Sequence, residues 1–589
     1  MKKETGYPSI DKIHDKEFSY FKRNPIIPNT NIYNLIYLLN IFNMKNIAIQ
    51  NMSLNITYSE LMANTLKMSR AFKELGIKKG DIITVCMNNT HQAVATFLAA
   101  NKIGAITTFL NNSASKEEIK NYLNLFESPL FINYNKNIEY NKEIKAATKV
   151  KQIITLKKGD LYTKGLNTIA STSFGYNDML SFNDLGILSS YYNKPIFEIC
   201  SNKDDALILY TSGSSGKPKA VVLTNENVIA SGIYIKNTIN LPKTRGEKCL
   251  CFVPFKYPYG FATSVLLTMM CGRVVVLVPD GLNKENAKIV LPQINYYYGS
   301  PALLDVLKKI VSDDIDLSQG KNFVTGGDFF TFKTEKSGKE FFQKHNNNKI
   351  LFCNGAGNAE TVATWSSSVG TSTKEGTVGR ILVGDDPIVV NPNTLEEVKY
   401  DEEGTLLLRG RNVFKGYYDE PLLTKKEMVN INGKEYYNTR TIGKLGKDRF
   451  FNLTGRESRF YILSDGNKVY CEKIQNFISL IDVVEECVVV GKPDDDNRYS
   501  GKVYIKLKDN ILPDDNTRKH IFNEFNRVYL INDNEKIYLN PFEYPSSIDF
   551  VDNIILTEAD KIDFKEYEIM AQEEYEREKN ILKRVKSKQ

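Results

Sequence analysis

A chain of 589 residues with 42% apolar and 25% charged side chains has the make-up of a globular protein too long for one domain. Much of its formal charge of +7 lies from Arg577 onward, where six basic side chains stand against one acidic; the near-neutral remainder argues against nucleic-acid binding. Eight scattered cysteines with no C-x-x-C pair, and only four histidines (His14, His91, His345, His520), argue against zinc sites and Ser-His-Asp chemistry.

The opening residues lack the apolar core of a secretory signal, and the longest apolar run, 261–271, is stopped by Gly272 and Arg273 before it can span a bilayer. A cytoplasmic protein with reduced thiols and no transmembrane segment is therefore expected. Thr57-Tyr58-Ser59-Glu60-Leu61 opens an amphipathic helix running to Leu75-Gly76. Residues 82–87 read as a buried strand and 90–103 as a second helix. Two further apolar runs, 206–209 and 221–223, flank a polar loop. The alternation resumes at 274–278 and 349–352, then gives way after Gly376 to short strands such as 404–410. Beyond Gly455-Arg456 an α+β segment follows, with strands at 468–469, 487–490 and 503–507, and a charged helix begins at Phe564. The predicted fold is α/β: a large N-terminal domain of two doubly wound sheets plus a β-barrel subdomain, and a small α+β domain. The expected divisions are 1–456, 457–570 and a basic helical tail 571–589. Nothing in the sequence indicates an oligomeric state.

The loop between the apolar runs carries the clearest chemistry. Thr211, Ser212, Gly213, Ser214, Ser215 and Gly216 offer hydroxyls and unhindered backbone N–H groups to a polyphosphate, and Lys217 and Lys219 offer positive charge. It is not a Walker A loop: the glycine spacing is too short, Pro218 follows, and a strand rather than a helix comes next. The loop resembles the phosphate-binding signature of the AMP-forming adenylating enzymes, the superfamily of acyl-CoA synthetases, peptide-synthetase adenylation domains and luciferases. The resemblance extends over nearly the whole chain. Gly6-Tyr7-Pro8-Ser9-Ile10-Asp11-Lys12 looks like the start of a bacterial acyl-CoA synthetase subgroup. Asn354, Gly355, Ala356, Gly357, Asn358, Ala359 and Glu360 match N-G-Y-G-x-T-E, whose acid helps hold Mg2+ in the family. Gly326, Gly327 and Asp328 resemble the turn beside the adenine and the acyl pocket. Thr454-Gly455-Arg456-Glu457-Ser458-Arg459 matches the hinge, with Arg456 placed for the ribose and Ser458 at the pivot. The segment around Gly466 resembles the loop that lines the thiol tunnel, and Leu556 to Asp563 matches L-T-x-x-G-K-[IV]-[DR]. Lys561 is then the mobile lysine that bridges the substrate carboxylate and the α-phosphate.

Three departures cluster on one side of the implied site. Thr441 stands where the family has the aspartate that grips both ribose hydroxyls, Ala356 where an aromatic stacks on adenine, and Ala359 where a hydroxyl lies near the phosphate. Two charge-assisted hydrogen bonds are worth about 3–6 kcal/mol together and a base–aromatic stack about 1–3 kcal/mol. Asp560 also replaces a glycine beside Lys561.

The resemblance implies ATP-dependent activation of a carboxylate to an acyl-adenylate, then transfer to coenzyme A, with Lys561, Glu360 and Lys219 catalytic and Glu360 on Mg2+. Tyr257, Tyr259, Gly260, Phe261, Tyr297 and Gly299 lie in segments that line the acyl pocket in relatives, and their character points to a fatty or aryl acid. The segment 254–257 lacks the acid that holds the ammonium of an amino acid. Two alternatives remain: an acyl-adenylate former that delivers to an acyl carrier protein or an amine, and a catalytically impaired homologue that only binds.

Overall fold

The strand Ile82–Cys86 is buried at every position, as a parallel strand covered on both faces must be. The computed structural model describes residues 4–166, 179–196, 198–211, 218–239, 244–327, 330–369, 373–374, 376–463, 468–494, 498–532, 535–557 and 562–586. Among them Ile82–Cys86 sits inside an eight-stranded sheet that is parallel from Met179–Ser181 through Asp205–Tyr210. Its last two strands, Ala220–Thr224 and Gly416–Tyr417, add antiparallel. A seven-stranded sheet runs Leu351–Asn354, Asn322–Thr325, Tyr296–Gly299, Lys248–Cys251, Val274–Leu277 and Ile47–Asn51 in parallel, ending in the antiparallel Leu54–Thr57.

Local sequence starts the helices where expected. Thr57 and Glu60 form a reciprocal capping box (Glu60 N to Thr57 Oγ1 3.2 Å, Thr57 N to Glu60 Oε2 2.8 Å), and the helix Tyr58–Glu74 ends before Gly76 at φ +80°. The helix His91–Lys102, capped by Thr90, is buried from His91 to Asn101, the signature of a helix covered on all sides. One core joins the sheets: Ile83 and Leu207 from the first, Ile49 and Val275 from the second, with Phe97 of this helix between them.

The antiparallel sheet Asp386–Val390, Glu403–Arg409, Lys434–Leu445 and Met428–Ile431, with Phe451–Arg456 paired onto Lys434–Leu445, supplies the expected β-subdomain. A further core is drawn wholly from residues 461–548, around Val484–Asp494, Arg498–Leu507 and the helix Cys471–Ser479. The last helix, Phe564–Lys586, runs through residue 571 without a break and seats Tyr567 and Ala571 on Val488, Val490 and Tyr504. Glu574 then pins it to Lys492 (2.9 Å) and Lys502 (2.8 Å). The first turns of the expected tail are thus packed and ion-paired onto the small domain.

The N-terminal segment straps the β-subdomain. Ser9 donates from N and Oγ to Glu397 (2.8 and 2.5 Å), Lys12 pairs with Asp386 (3.1 Å), and Asp15 pairs with the buried Arg449. Arg449 also donates to the carbonyls of Ile381, Leu382 and Asp385. The Asp385 carboxyl beside it accepts from Asn412 Nδ2 at 3.2 Å, while Asp385 Oδ1 and Asn412 Oδ1 are buried without partners among the described residues. Burial pushes Asp385 up to about 7. A carboxyl raised in the folded state stabilises it when protonated. That stability is full below the unfolded value of about 4 and is lost as pH rises through 7. Asp385→Asn is expected to flatten this slope and raise stability at pH 8 by about 2–4 kcal/mol. Melting temperature against pH checks it, and equal slopes for the two proteins would refute it.

Candidate active site

Three parallel strands of the second sheet, Tyr296–Gly299, Asn322–Thr325 and Leu351–Asn354, end together, and ligands of such sheets bind beyond the carboxyl ends of strands. Two glycine-rich turns follow them. Gly355 N donates to Thr325 O at 3.2 Å, which ties one turn to the neighbouring strand end. At Gly357 a Cβ would fall 1.7 Å from Ala363 O, so only glycine lets the chain fold back there. Glu360 lies on the short helical turn Ala359–Thr361 directly after that fold.

The two ends of the expected phosphate loop meet across strands Asp205–Tyr210 and Ala220–Thr224. Thr211 N donates to Lys219 O (3.1 Å), and Lys219 N donates to Thr211 Oγ1 (3.0 Å). The expected loop residues Ser212, Gly213, Ser214, Ser215, Gly216 and Lys217 lie outside the described residues, as do Asp328, Gly466 and Lys561.

Lys219 reaches Glu427 (3.3 Å) and stands 5.0 Å from the centroid of the Tyr417 ring. The Tyr417 hydroxyl donates to Glu360 Oε1 at 2.5 Å. Burial holds the Glu360 carboxyl above its ordinary value, with this hydrogen bond and the nearby Lys219 charge opposing. A buried carboxylate whose cationic neighbour Lys219 is already paired with Glu427 is a hard oxygen donor short of positive charge, which suits a divalent ion such as Mg2+. Arg440 continues the charge chain, from Glu427 (3.2 Å) to Glu457 (3.1 Å) beside the expected hinge. It does so at φ +58°, the left-handed region that favours glycine.

These groups form the mouth of a 530 Å³ cavity walled by Phe252, Tyr257, Tyr259, Tyr296, Tyr298 and Leu267. Four expected pocket residues stand elsewhere. Tyr297 is fully buried in the neighbouring core, stacked on Phe323, because side chains alternate faces along a strand and Tyr296 and Tyr298 take the cavity face. Phe261 is also fully buried, against Phe97, Phe109 and Phe255. Gly260 packs on the Pro254 carbonyl, where a Cβ would come within 2.2 Å, and Gly299 packs on Leu303.

A second cavity, of 1310 Å³, adjoins the first at Gly327, Asn354, Gly355 and Arg456. One wall carries Ala356, Trp365 and Thr441; the other carries Arg459, Glu472 and Phe564 of the C-terminal part. Ala356 presents its backbone, accepting from Trp365 N (2.9 Å), while the buried Trp365 indole donates to Asn358 Oδ1 (3.0 Å). Thr441 stands opposite Arg456 across the strand pair, and its hydroxyl donates to Thr439 O at 3.2 Å. Gly326 and Ala359 border the smaller cavity. Sequence reasoning missed Glu427, Tyr296 and Tyr298. The alternation within Tyr296-Tyr297-Tyr298 signals that one set faces a cavity, but nothing local marks Glu427.

Residues 43–418 match the family described as AMP-binding enzyme. The chain is 22% identical over 464 residues to a long-chain-fatty-acid–CoA ligase of Bacillus subtilis, covering 77% of this chain and 81% of that protein. It is 24% identical over 468 residues to a probable 4-coumarate–CoA ligase 2 of Dictyostelium discoideum, with coverage of 77% and 81%. Among solved structures, ATP-bound MatB from Rhodopseudomonas palustris superposes with a TM-score of 0.76 at 18% identity, covering 93% of this chain and all of that one. The anthranilate CoA ligase AuaEII with anthranoyl-AMP gives 0.76 at 16% identity, covering 94% and 99%. At such identities these structures establish the shared fold.

Proposed function

The chain belongs to the AMP-binding enzyme family, and from that premise we propose that it is an AMP-forming acyl-CoA ligase. It activates a carboxylic acid with ATP and passes the acyl group to coenzyme A. The observation that carries this reading is the meeting of Thr211, Lys219 and Glu360 at the mouth of an aromatic-walled cavity. The acid lies among the tyrosines with its carboxylate at the mouth, and attacks the α-phosphorus of ATP in line. Thr211 and Lys219, with the loop 212–217, hold the departing pyrophosphate; Lys561 neutralises charge as it develops. Glu360 would hold Mg2+, which when bound would supply electrostatic stabilisation of the phosphates. Residues 457–570 then turn about Ser458 against residues 1–456. A coenzyme A thiol enters the larger cavity, where Lys336, Lys508 and Lys565 stand among the lining residues as cations suited to its phosphates.

Carboxylate-dependent ATP–pyrophosphate exchange over short, long and aromatic acids, followed by coenzyme A-dependent AMP release, tests the reading. Exchange without transfer to coenzyme A would favour a carrier protein or amine as acceptor. No exchange and no thiol ester with any acid would refute the ligase. Lys219 must leave Glu427 to serve a polyphosphate, and a partly exposed pair costs about 0.2–1 kcal/mol to break. Glu427→Gln is therefore expected to lower KM for ATP about 2–5-fold, read by steady-state kinetics; a higher KM would show that Glu427 positions Lys219 instead.

A further inference from the structure

Glu427 gives one oxygen to each of two cations. Its Oε1 pairs with Lys219 (3.3 Å), its Oε2 accepts from Arg440 Nε (3.2 Å), and the residue is only 9% exposed. In the proposed reaction Lys219 leaves this carboxylate for a polyphosphate. A buried carboxylate stripped of its partner is destabilising, because little water reaches it. Arg440 is placed to stay behind. Its Nη1 pairs with Glu457 Oε2 (3.1 Å). Glu457 is itself fixed, accepting from Thr405 Oγ1 at Oε1 (2.6 Å) and donating its own N–H to Arg440 O (2.9 Å). The guanidinium is therefore braced from the Glu457 side whether or not Lys219 is at Glu427.

The backbone tells the same story. Arg440 lies at φ +58°, where an arginine is strained relative to glycine, and such strain persists only where its surroundings enforce it. What enforces it is the planar fork, Nε on one carboxylate and Nη1 on another, which the single ammonium of a lysine cannot copy. The side chain borders the smaller cavity together with Lys219, Glu427 and Glu457. We propose that Arg440 is a positioning residue for nucleotide binding. By holding the second oxygen of Glu427 it loosens the grip on Lys219, and it keeps Glu427 paired once Lys219 turns to the polyphosphate. It touches no substrate and acts through Glu427. The proposal rests on the ligase reading for the partner to which Lys219 turns.

The test uses the full chain carrying Arg440→Gly or Arg440→Asn, each alone and combined with Glu427→Gln. Glycine and asparagine both accept a positive φ, so the turn is kept in two independent ways. Calorimetry gives Kd for ATP, and pyrophosphate exchange gives KM for ATP, KM for the acid and kcat. With Glu427 present, Kd and KM for ATP are expected to rise about tenfold, while kcat and the KM for the acid move by about twofold or less. In the Glu427→Gln background the same replacements change Kd by less than about twofold, because no carboxylate then holds Lys219. An equal rise in both backgrounds overturns the proposal, since Arg440 would then act on the nucleotide directly through its charge. No rise with Glu427 present overturns it as well, and where exchange persists the ligase reading stands without it. If no acid supports exchange yet the Kd for ATP depends on Arg440 only when Glu427 is present, the ligase reading falls and the role of Arg440 stands. If the native chain neither exchanges nor binds ATP, both fall.

Discussion

Glu360→Gln is expected to lower carboxylate-dependent pyrophosphate exchange by about 10²–10³-fold, the scale of removing one preorganised charge-stabilising group. The substitution keeps the shape and an acceptor for the Tyr417 hydroxyl at 2.5 Å, so the buried turn Ala359–Thr361 is left intact. What it removes is the negative charge facing the mouth. Stability is expected to move the other way. Burial raises the Glu360 carboxyl, so the folded state binds its proton more tightly than the unfolded chain. That stabilisation is present at acid pH and is lost as pH rises through the raised value. An uncharged glutamine escapes this loss, and the variant should melt no lower than the native protein at pH 8. The two readouts together separate a lost charge from a damaged fold. Full exchange activity in the variant would remove Glu360 from the machinery.

Thr441→Asp should lower KM for ATP by about 10–100-fold, which corresponds to regaining a charge-assisted hydrogen bond of about 1.5–3 kcal/mol. In the native chain the Thr441 hydroxyl is engaged by its own strand, at Thr439 O, and offers little to a ribose. An aspartate there would be buried, at a position 5% exposed, but directly across the strand pair from Arg456, whose charge offsets the desolvation. The measurement is ATP-dependent exchange at saturating acid, with native and variant proteins compared. Exchange in the variant alone would identify a lapsed active site on an intact scaffold. An unchanged KM would mean that this departure does not set nucleotide affinity.

Several features were legible because their causes are local. The capping box of Thr57 and Glu60, the buried run Ile82–Cys86 and the loop between Asp205–Tyr210 and Ala220–Thr224 each depend on residues within a few positions of one another. The glycine turns after Thr325 and Asn354 were readable for the same reason: a chain that must fold back tightly needs glycine wherever it occurs. By contrast, Lys219 and Glu427 are 208 residues apart, and no local pattern announces that they meet. Arg440 reads as an ordinary charged residue until its partners Glu427 and Glu457 arrive from a helix and from the hinge. Tyr297 and Phe261, expected to line an acyl pocket, lie in the packed cores on similar grounds. Both are aromatic and lie in the expected segments, and only the packing of the strand Tyr296–Gly299 and of the helical stretch Tyr259–Leu267 shows that they face the core.

The sequence by itself therefore determined the elements, the fold class and the inventory of chemical groups, since short-range sterics and hydrogen bonding govern where strands, turns and caps form. Which of those groups face one another was decided by tertiary structure alone. The packing of two sheets around shared helices turned Tyr296 and Tyr298 inward and Tyr297 away, and set Lys219 beside Glu427. Burial and long-range contact are properties of the assembled core, and no run of neighbouring residues encodes them.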